Sequence, residues 1–235
     1  MAHPYKDFEP NWYRGAVPAN SYRSIFKWGV PEQIKVPRES LYKLMKEAFD
    51  LDDGEFREYR EDLGLEEVRF DRPIRLSAAQ LDAFRKIAGG DFVRTDDYAR
   101  LSVAYGKTMY DLLRIRNKIV ENVPDAVIYP GSKEQIEKIV AYCAAEKIPL
   151  YVYGGGSSVT RGVECVKGGV SLDMRLRFNK VIEFNEIDQT ITVEAGMSGP
   201  CLEETLNDAV RKFGARRAYT CGHFPQSFEH SSVGG

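Results

Sequence analysis

Three consecutive glycines, Gly154 to Gly156, stand directly behind a short apolar run that ends at Tyr153. The run, 149–153, has the length and the residue types of a buried β-strand. Glycines let backbone amides approach a ligand closely, so the following loop is suited to hold anionic oxygens in a concave site. Ser157 and Ser158 come next and add hydroxyl donors, which a diphosphate removed from water requires.

The glycine run also has a purely structural interpretation, because glycine clusters mark sharp turns whether or not a ligand binds. Two familiar nucleotide-binding patterns do not apply to it, since no Gly-Lys-Ser/Thr follows and no helical pattern begins after Thr160. A site for another phosphate-containing nucleotide, formed by this loop alone, is a third interpretation. That interpretation leaves the distinctive C-terminal segment of the chain unexplained.

The sequence around the glycine run alternates between strand and helix patterns. An apolar strand at 126–129 precedes a helix that Ser132 opens, with Gln135 completing the pattern of a capping box. The return to the strand at 149–153 implies a parallel pair with a right-handed crossover. The later patterns are strands at 169–172, 181–184 and 190–194 and a helix at 200–213. We therefore predict an α+β fold with a βαβ start joined to antiparallel strands, the last two strands forming a hairpin.

Residues 1–120 differ in texture from the rest of the chain. They are rich in charged and aromatic residues and show helical periodicity. One predicted helix ends at Phe49, a second follows Ser77 and stops at Gly89, and a third spans 97–118. We therefore predict a mostly helical N-terminal region, 1–120, ahead of an α+β domain at 121–235.

Composition narrows the classes of function. Of the 235 residues, 43% are hydrophobic and 29% are charged, which is typical of a folded globular protein. The formal net charge is −2 and the basic residues come in short pairs, so we expect no nucleic-acid partner. No apolar stretch is long enough to span a membrane and the N-terminus lacks a signal-peptide core, so we expect a cytoplasmic protein. Cysteines and histidines lack metal-ligand spacing, so we predict no metal site.

The C-terminal segment, Tyr219 to Gly235, is dense in glycine, serine and histidine. Neither strand nor helix periodicity runs through it, so a structureless tail is one interpretation. Phe224 and Phe228 stand among serines, however, and this mixture suits a loop that wraps a flat ligand with polar edges.

Five stretches follow one another along the chain: Pro124-Asp-Ala-Val-Ile-Tyr-Pro, Tyr153-Gly-Gly-Gly-Ser-Ser-Val, Ser171-Leu-Asp, Thr192-Val-Glu-Ala-Gly and Gly222-His-Phe-Pro-Gln-Ser-Phe-Glu-His-Ser-Ser-Val-Gly-Gly. In this order they resemble the FAD-binding domain of the vanillyl-alcohol-oxidase, or PCMH, type. Within that superfamily the chain is most similar to alkyldihydroxyacetonephosphate synthases and to bacterial FAD-linked oxidases and D-2-hydroxyacid dehydrogenases. The last stretch and the upstream Tyr105-Gly carry this closer likeness, which covers about residues 95–235.

The resemblance implies FAD as the cofactor and assigns residues to it. Residues 152–158 would hold the FAD diphosphate, and residues 226–232 would run beside the flavin and its ribityl chain. Together these residues are Val152, Tyr153, Gly154, Gly155, Gly156, Ser157, Ser158, Gln226, Ser227, Phe228, Glu229, His230, Ser231 and Ser232. His223 matches the family's Gly-His position near the flavin and is the one candidate for a catalytic role.

The resemblance also implies an enzyme that acts on a small-molecule substrate, and it is compatible with a homodimer. We expect the FAD-binding portion of a flavin-dependent oxidoreductase that oxidises a 2-hydroxy acid or a related alcohol. Two alternatives stay open: a synthase-like enzyme that uses the flavin without net redox change, and a flavin-free binding or structural module. Gln226 and Tyr105 depart from the synthases, which carry an acidic residue and a histidine there. Because the family's enzymes continue past the Val-Gly-Gly motif with a cap domain, we expect a truncated part that is inactive alone.

Overall fold

The structure, a computed structural model, describes residues 16–26, 28, 38–57 and 64–234. These residues form two compact units. The first takes the described residues up to Val68 together with Leu112–Ile119, and the second takes Arg69–Asp111 and the chain from Val120 onward. The domain boundary at residue 120 stays a prediction.

The first unit includes short helices. It contains α1 (Tyr22–Ile25), α2 (Glu39–Phe49) and α3 (Asp53–Arg57), and α2 confirms the predicted helix that ends at Phe49. The Arg116 guanidinium donates hydrogen bonds to the carbonyl oxygens of Tyr22 and Phe26, at 2.9 and 2.6 Å. Burial, with a smaller effect of the nearby Arg23, lowers the pKa of Arg116 to about 10. The arginine therefore stays charged at neutral pH. Its two hydrogen bonds hold the first residue of α1 and the residue that follows its end.

The remaining elements build one sheet, one hairpin and the helices around them. In chain order they are α4 (Ala78–Ala88), β1 (Val93–Arg94), α5 (Asp97–Ser102), α6 (Met109–Arg116), β2 (Ala126–Ile128), α7 (Lys133–Glu146), β3 (Leu150–Tyr153), β4 (Val170–Asp173), β5 (Val181–Asn185), β6 (Thr190–Val193), α8 (Gly199–Asn207) and α9 (Ala209–Phe213). The sheet has the order β1-β2-β4-β3, in which β2, β4 and β3 run parallel and β1 pairs antiparallel with β2. Strands β5 and β6 form the predicted antiparallel hairpin.

The core of the second unit packs α4 and α7 against the sheet. Phe84 of α4, Ile139 of α7, Ile128 of β2 and Leu172 of β4 are all buried within it. Complete burial of one such side chain contributes about 2 to 3 kcal/mol to stability. This packing fixes the carboxyl ends of the parallel strands at one edge of the sheet, which is where the glycine run begins.

The predicted start of α7 is confirmed, but its capping box is wrong. The Ser132 hydroxyl accepts a hydrogen bond from the Gln135 N–H at 3.3 Å, as an N-cap should. The Gln135 side-chain oxygen does not return to Ser132; it accepts instead from the Gly131 N–H at 2.8 Å. The helix therefore has a serine cap with the glutamine bonded one residue further upstream.

The predicted direct pairing of the strands at 126–129 and 149–153 is also wrong, because β4 lies between them. Val127 of β2 and Tyr151 of β3 both pair in register with Ser171 of β4. All four residues of β4 are buried. A strand that is covered on both faces takes the centre of a parallel sheet, which explains its position.

Two predicted helices are each interrupted. The pattern at 97–118 splits into α5 and α6, because the backbone at Gly106 packs against Ser158, where a Cβ would stand 2.1 Å from the carbonyl oxygen. Thr108 then opens α6 by accepting a hydrogen bond from the Asp111 N–H at 2.9 Å. The pattern at 200–213 splits into α8 and α9 at Asp208, whose backbone leaves the helical conformation.

The fold class is confirmed: a βαβ start joined to antiparallel strands, with described helices ahead of it. No helix in the described ranges is long and apolar enough to cross a membrane. The same ranges contain no group of histidine, cysteine and acidic side chains that could hold a metal ion. All four cysteines are free thiols.

Candidate functional site

The glycine loop, defined as Gly154–Ser158, begins where the parallel strands end. It follows Tyr153, the last residue of β3, which lies opposite Asp173, the last residue of β4. In open sheets with parallel strands, ligands bind in the crevice beyond the carboxyl ends of the strands. The loop therefore occupies the edge of the sheet at which a ligand is expected.

Two of the three glycines are required by contacts within the protein. A Cβ on Gly155 would lie 1.9 Å from the carbonyl oxygen of His230, so only glycine allows the two backbones to approach. Gly156 has a φ of +64°, and a Cβ there would lie 2.0 Å from the hydroxyl oxygen of Tyr153. The glycine run thus packs the loop between Tyr153 and the C-terminal segment.

Hydrogen bonds join the glycine loop to the C-terminal segment. The backbone N–H of Gly155 donates to Ser232 Oγ at 3.1 Å, and both residues are buried. The Ser231 hydroxyl donates to Ser157 Oγ, also at 3.1 Å. The structure therefore brings together the two stretches that the sequence assigned to one ligand, and it gives the Gly155 amide a partner within the protein.

Backbone hydrogen bonds also hold the end of the C-terminal segment to the residues ahead of α8. The Val233 N–H donates to the Met197 carbonyl at 2.8 Å, and the Gly234 N–H donates to the Ala195 carbonyl at 2.9 Å. Ser232 forms an isolated antiparallel bridge with Ser198, and a turn follows at Val233 and Gly234, so the interpretation as a structureless tail is wrong there.

The preceding residues of the segment differ in exposure. Phe228 is half-buried; its ring packs on Gly199, where a Cβ would lie 2.6 Å away, and meets Phe224 edge-on with ring centroids 4.9 Å apart. Gln226 and Glu229 are exposed. Their polar groups are accessible to a ligand, whereas Phe228 holds the segment to the start of α8.

Val152, Tyr153 and His223 have different environments. Val152 is 61% exposed on the edge strand, and Tyr153, on the opposite face, is buried. The Tyr153 hydroxyl donates to the Ser102 carbonyl at 3.2 Å, and burial raises its pKa to about 12. His223 is exposed and makes no hydrogen bond or ion pair with any described residue. Ser227 is half-buried with a φ of +66°.

Three consecutive N–H groups of the glycine loop have no protein acceptor. Within the described part of the chain, the amides of Gly156, Ser157 and Ser158 form no hydrogen bond. Gly156 is buried and the two serines are half-buried. Because buried amides are nearly always paired, and successive amides around a left-handed residue form anion-binding nests, these donors fit the oxygens of a diphosphate.

Two cations that the sequence analysis did not assign stand beside the glycine loop. The Lys107 N–H donates to the Ser158 carbonyl at 3.0 Å. Arg175 lies over the Tyr153 ring, 4.7 Å from its centroid, and forms two hydrogen bonds to Asp173 at 3.0 and 2.6 Å. The signals were present, because Lys107 follows the Tyr105-Gly motif and Arg175 follows Ser171-Leu-Asp.

Burial and mutual repulsion shape the charges around the loop. Burial, and then the charge of Arg175, lowers the pKa of Lys107 to about 8. Burial, and then the charge of Lys107, lowers the pKa of His230. For Arg175 burial opposes the charge, but the hydrogen bonds and charge of Asp173 outweigh it and raise the pKa. The side chains of Lys107 and Arg175 therefore lie close enough for the charge of Arg175 to disfavour that of Lys107.

Residues 124–235 match the protein family described as FAD binding domain. This part of the chain is an FAD-binding domain. Its glycine loop and C-terminal segment both fall inside the matched residues, whereas Lys107 lies outside them. FAD is accordingly the cofactor, and the predicted family and the predicted cofactor are confirmed.

Relatives of the FAD-binding domain include a synthase and a dehydrogenase. Alkyldihydroxyacetonephosphate synthase of Dictyostelium discoideum is 31% identical over 214 residues, which are 87% of this chain and 33% of that protein. Mitochondrial D-lactate dehydrogenase (cytochrome) of Arabidopsis thaliana is 36% identical over 87 residues, 37% of this chain and 15% of that protein. A solved structure of alkyldihydroxyacetonephosphate synthase superposes with a TM-score of 0.63 at 30% identity, covering 70% of this chain and 29% of that one. The chain spans about a third of the length of the synthases that it matches.

Proposed function

We propose that the glycine loop holds the diphosphate of FAD and that the C-terminal segment runs beside the flavin and ribityl chain. The observation that carries this proposal is the hydrogen bond from Gly155 to Ser232, because it joins the two stretches that one dinucleotide would contact. The amides of Gly156, Ser157 and Ser158 supply donors for the phosphate oxygens. A diphosphate removed from water needs such donors to offset its desolvation.

The exposed side chains of the segment 223–229 face the cofactor and its substrate in this arrangement. Gln226 and Glu229 offer polar groups to the edge of the flavin, and Phe228 supplies an apolar support for them. His223 is the residue that handles a proton of the substrate, because an imidazole both accepts and donates protons. Val152 and Tyr153 act through the backbone of the strand that leads into the loop.

The reaction is the oxidation of a 2-hydroxy acid or a related alcohol. FAD, when bound, supplies the electron-accepting chemistry, and the protein binds it, orients it and sets its electrostatic surroundings. Support comes from the similarity to a D-lactate dehydrogenase, whose substrate is a 2-hydroxy acid. Tyr105, one of the two positions at which the resemblance separates this chain from the synthases, has a structural use, since its buried hydroxyl accepts a hydrogen bond from the Glu121 N–H at 3.0 Å.

A second candidate is a synthase that uses the flavin with no net redox change. The length of the similarity favours it, since the match to the Dictyostelium synthase extends over 214 residues and the match to the D-lactate dehydrogenase over 87. The two candidates share the cofactor and the proposed diphosphate site. They differ in whether a substrate reduces the flavin.

Anaerobic mixing of the FAD-loaded full-length protein with D-lactate separates the two reactions. An oxidoreductase of this class loses the visible absorbance of its flavin, and the absorbance returns when an electron acceptor is added. A panel of other 2-hydroxy acids tests the substrate class, with the corresponding 2-deoxy acids as controls. A flavin that no member of the panel bleaches, together with formation of an alkyldihydroxyacetonephosphate, would replace the first candidate by the second.

A further inference from the structure

We infer that Lys107 and Arg175 supply the positive charge that balances the FAD diphosphate at the glycine loop. The inference rests on the proposed placement of the diphosphate at that loop. It extends the cofactor site to Lys107, which lies outside the matched domain, 124–235.

Arg175 is oriented by two contacts and keeps a donor for an anion. Its Nε and Nη2 atoms bind the Asp173 carboxylate, and its plane lies over the Tyr153 ring. The Nη1 group forms no hydrogen bond with the described residues, and the side chain is 42% exposed. The Tyr153 hydroxyl in turn packs against Gly156, so closely that a Cβ on Gly156 would lie 2.0 Å from it. Arg175 is therefore held against the end of the loop that begins the run of unbonded amides.

Lys107 is held at the other end of that run. Its backbone N–H bonds to the Ser158 carbonyl at 3.0 Å, and Gly106 packs so closely that a Cβ would stand 2.1 Å from the same oxygen. The segment 106–107 therefore cannot move away from the loop without breaking these contacts. The unbonded amides of 156–158 lie between the attachment points of two cations.

The charges around the loop are arranged for an anionic ligand. Burial and the charge of Arg175 both disfavour the protonated form of Lys107, and Lys107 does the same to His230. Asp173 is engaged by Arg175, and Glu229 is the acidic group that favours the charge of His230. Partly buried cations that repel one another gain from a ligand that carries negative charge, and a diphosphate is a dianion.

FAD affinity of charge variants tests the inference, measured by quenching of flavin fluorescence on titration of the purified full-length protein. Lys107→Met and Arg175→Gln each remove one cation, Lys107→Arg and Arg175→Lys keep the charge, and Lys138→Met removes an exposed charge of α7 as a control. Each titration is repeated at a low and a high salt concentration, because salt screens charge interactions. Circular dichroism confirms folding, and Asp173→Asn/Arg175→Gln is added to avoid leaving Asp173 buried without its arginine.

We expect Lys107→Met and the Arg175 variants without charge to bind FAD about tenfold more weakly at low salt, and their affinity should depend less on salt. Lys107→Arg and Lys138→Met should bind FAD like the parent. Affinities of Lys107→Met and Asp173→Asn/Arg175→Gln within twofold of the parent would overturn the inference. Ser157→Pro, which removes one loop amide, separates this failure from failure of the proposed site. If only Ser157→Pro loses FAD binding, the loop remains the diphosphate site and the role of the two cations is overturned. If Ser157→Pro binds FAD like the parent, the proposed diphosphate site and the role of the cations are both overturned. Because the assay measures binding, a protein that fails the D-lactate test can still pass it.

Discussion

The backbone N–H of Gly155 donates a hydrogen bond to the hydroxyl of Ser232, 77 residues further along the chain, and both groups are buried. This bond couples the end of a central sheet to a segment that contains no regular helix or strand. Gly155 takes part a second time, because its missing side chain admits the carbonyl of His230. The geometry of the proposed cofactor site therefore depends on a few contacts between distant parts of the sequence.

Replacing Ser232 with alanine should lower the free energy of unfolding by about 1 to 3 kcal/mol, because it leaves the buried Gly155 N–H without an acceptor. Ser231→Ala is the matched control, since the side chain of the half-buried Ser231 bonds only to the hydroxyl of Ser157, which can bond to water instead. We expect a loss below about 1 kcal/mol for the control. Urea titration measures the free energy of unfolding of both variants. Equal losses would show that the buried hydrogen bond stabilises the protein no more than the half-buried one.

Gly155→Ala should destabilise the protein by about 3 kcal/mol, because the added carbon meets the backbone oxygen of His230 and must displace the segment 230–232. Gly90→Ala is the control: nothing lies within 4 Å of a Cβ at Gly90. Its stability should stay within about 0.5 kcal/mol of the parent. A Gly155→Ala protein as stable as Gly90→Ala would contradict the close packing of the loop.

Asp125 should be among the residues on which the sheet depends most. Its buried carboxylate accepts hydrogen bonds from the Gly169 N–H at 2.7 Å and the Arg75 N–H at 3.0 Å, and so fixes the start of β4 beside β2. Asp125→Ala leaves both donors unpaired and should cost about 3 kcal/mol. Asp82→Ala removes an exposed carboxylate that pairs with Arg85 and should cost less than about 0.5 kcal/mol. Unfolding curves in urea that shifted equally for both variants would refute this assignment.

The low pKa of Lys107 predicts the sign of a pH effect on stability. Without cofactor the folded-state value is about 8, and that of an unfolded chain is about 10.4. Between these values the unfolded state binds the proton and the folded state does not, so stability rises with pH from about 8 to about 10.4. Lys107→Met should lack this contribution. The variant does not share the parent's gain in stability, so the difference between their free energies of unfolding should change across this pH range. A difference in the free energy of unfolding that stays constant across that range would show that the surroundings of Lys107 do not lower its pKa.

Local features of the fold were predictable from the sequence. The apolar run at Ala126–Ile128 and the serine at position 132 act over a few residues, so strand β2 and the start of α7 follow from pattern alone. The hairpin of β5 and β6 follows for the same reason, since a short turn joins two alternating segments. The order of motifs was enough to identify the family.

Non-local pairings were not predictable in this way. Strand β4 enters between β2 and β3 because all of its residues can be covered, a property of the assembled sheet that a linear pattern does not contain. The break at Gly106 depends on a carbonyl oxygen from Ser158, far along the chain. Lys107 and Arg175 stand beside the Tyr105-Gly and Ser171-Leu-Asp motifs, but only the folded chain shows that both approach the loop.

A crystal structure of the full-length protein in complex with FAD tests the central claim most directly. We predict that the diphosphate oxygens lie within about 3 Å of the amide nitrogens of Gly156, Ser157 and Ser158. We also predict that the bond between Gly155 and Ser232 persists beside them. A diphosphate bound elsewhere, with these amides still without a hydrogen-bond acceptor, would contradict the account.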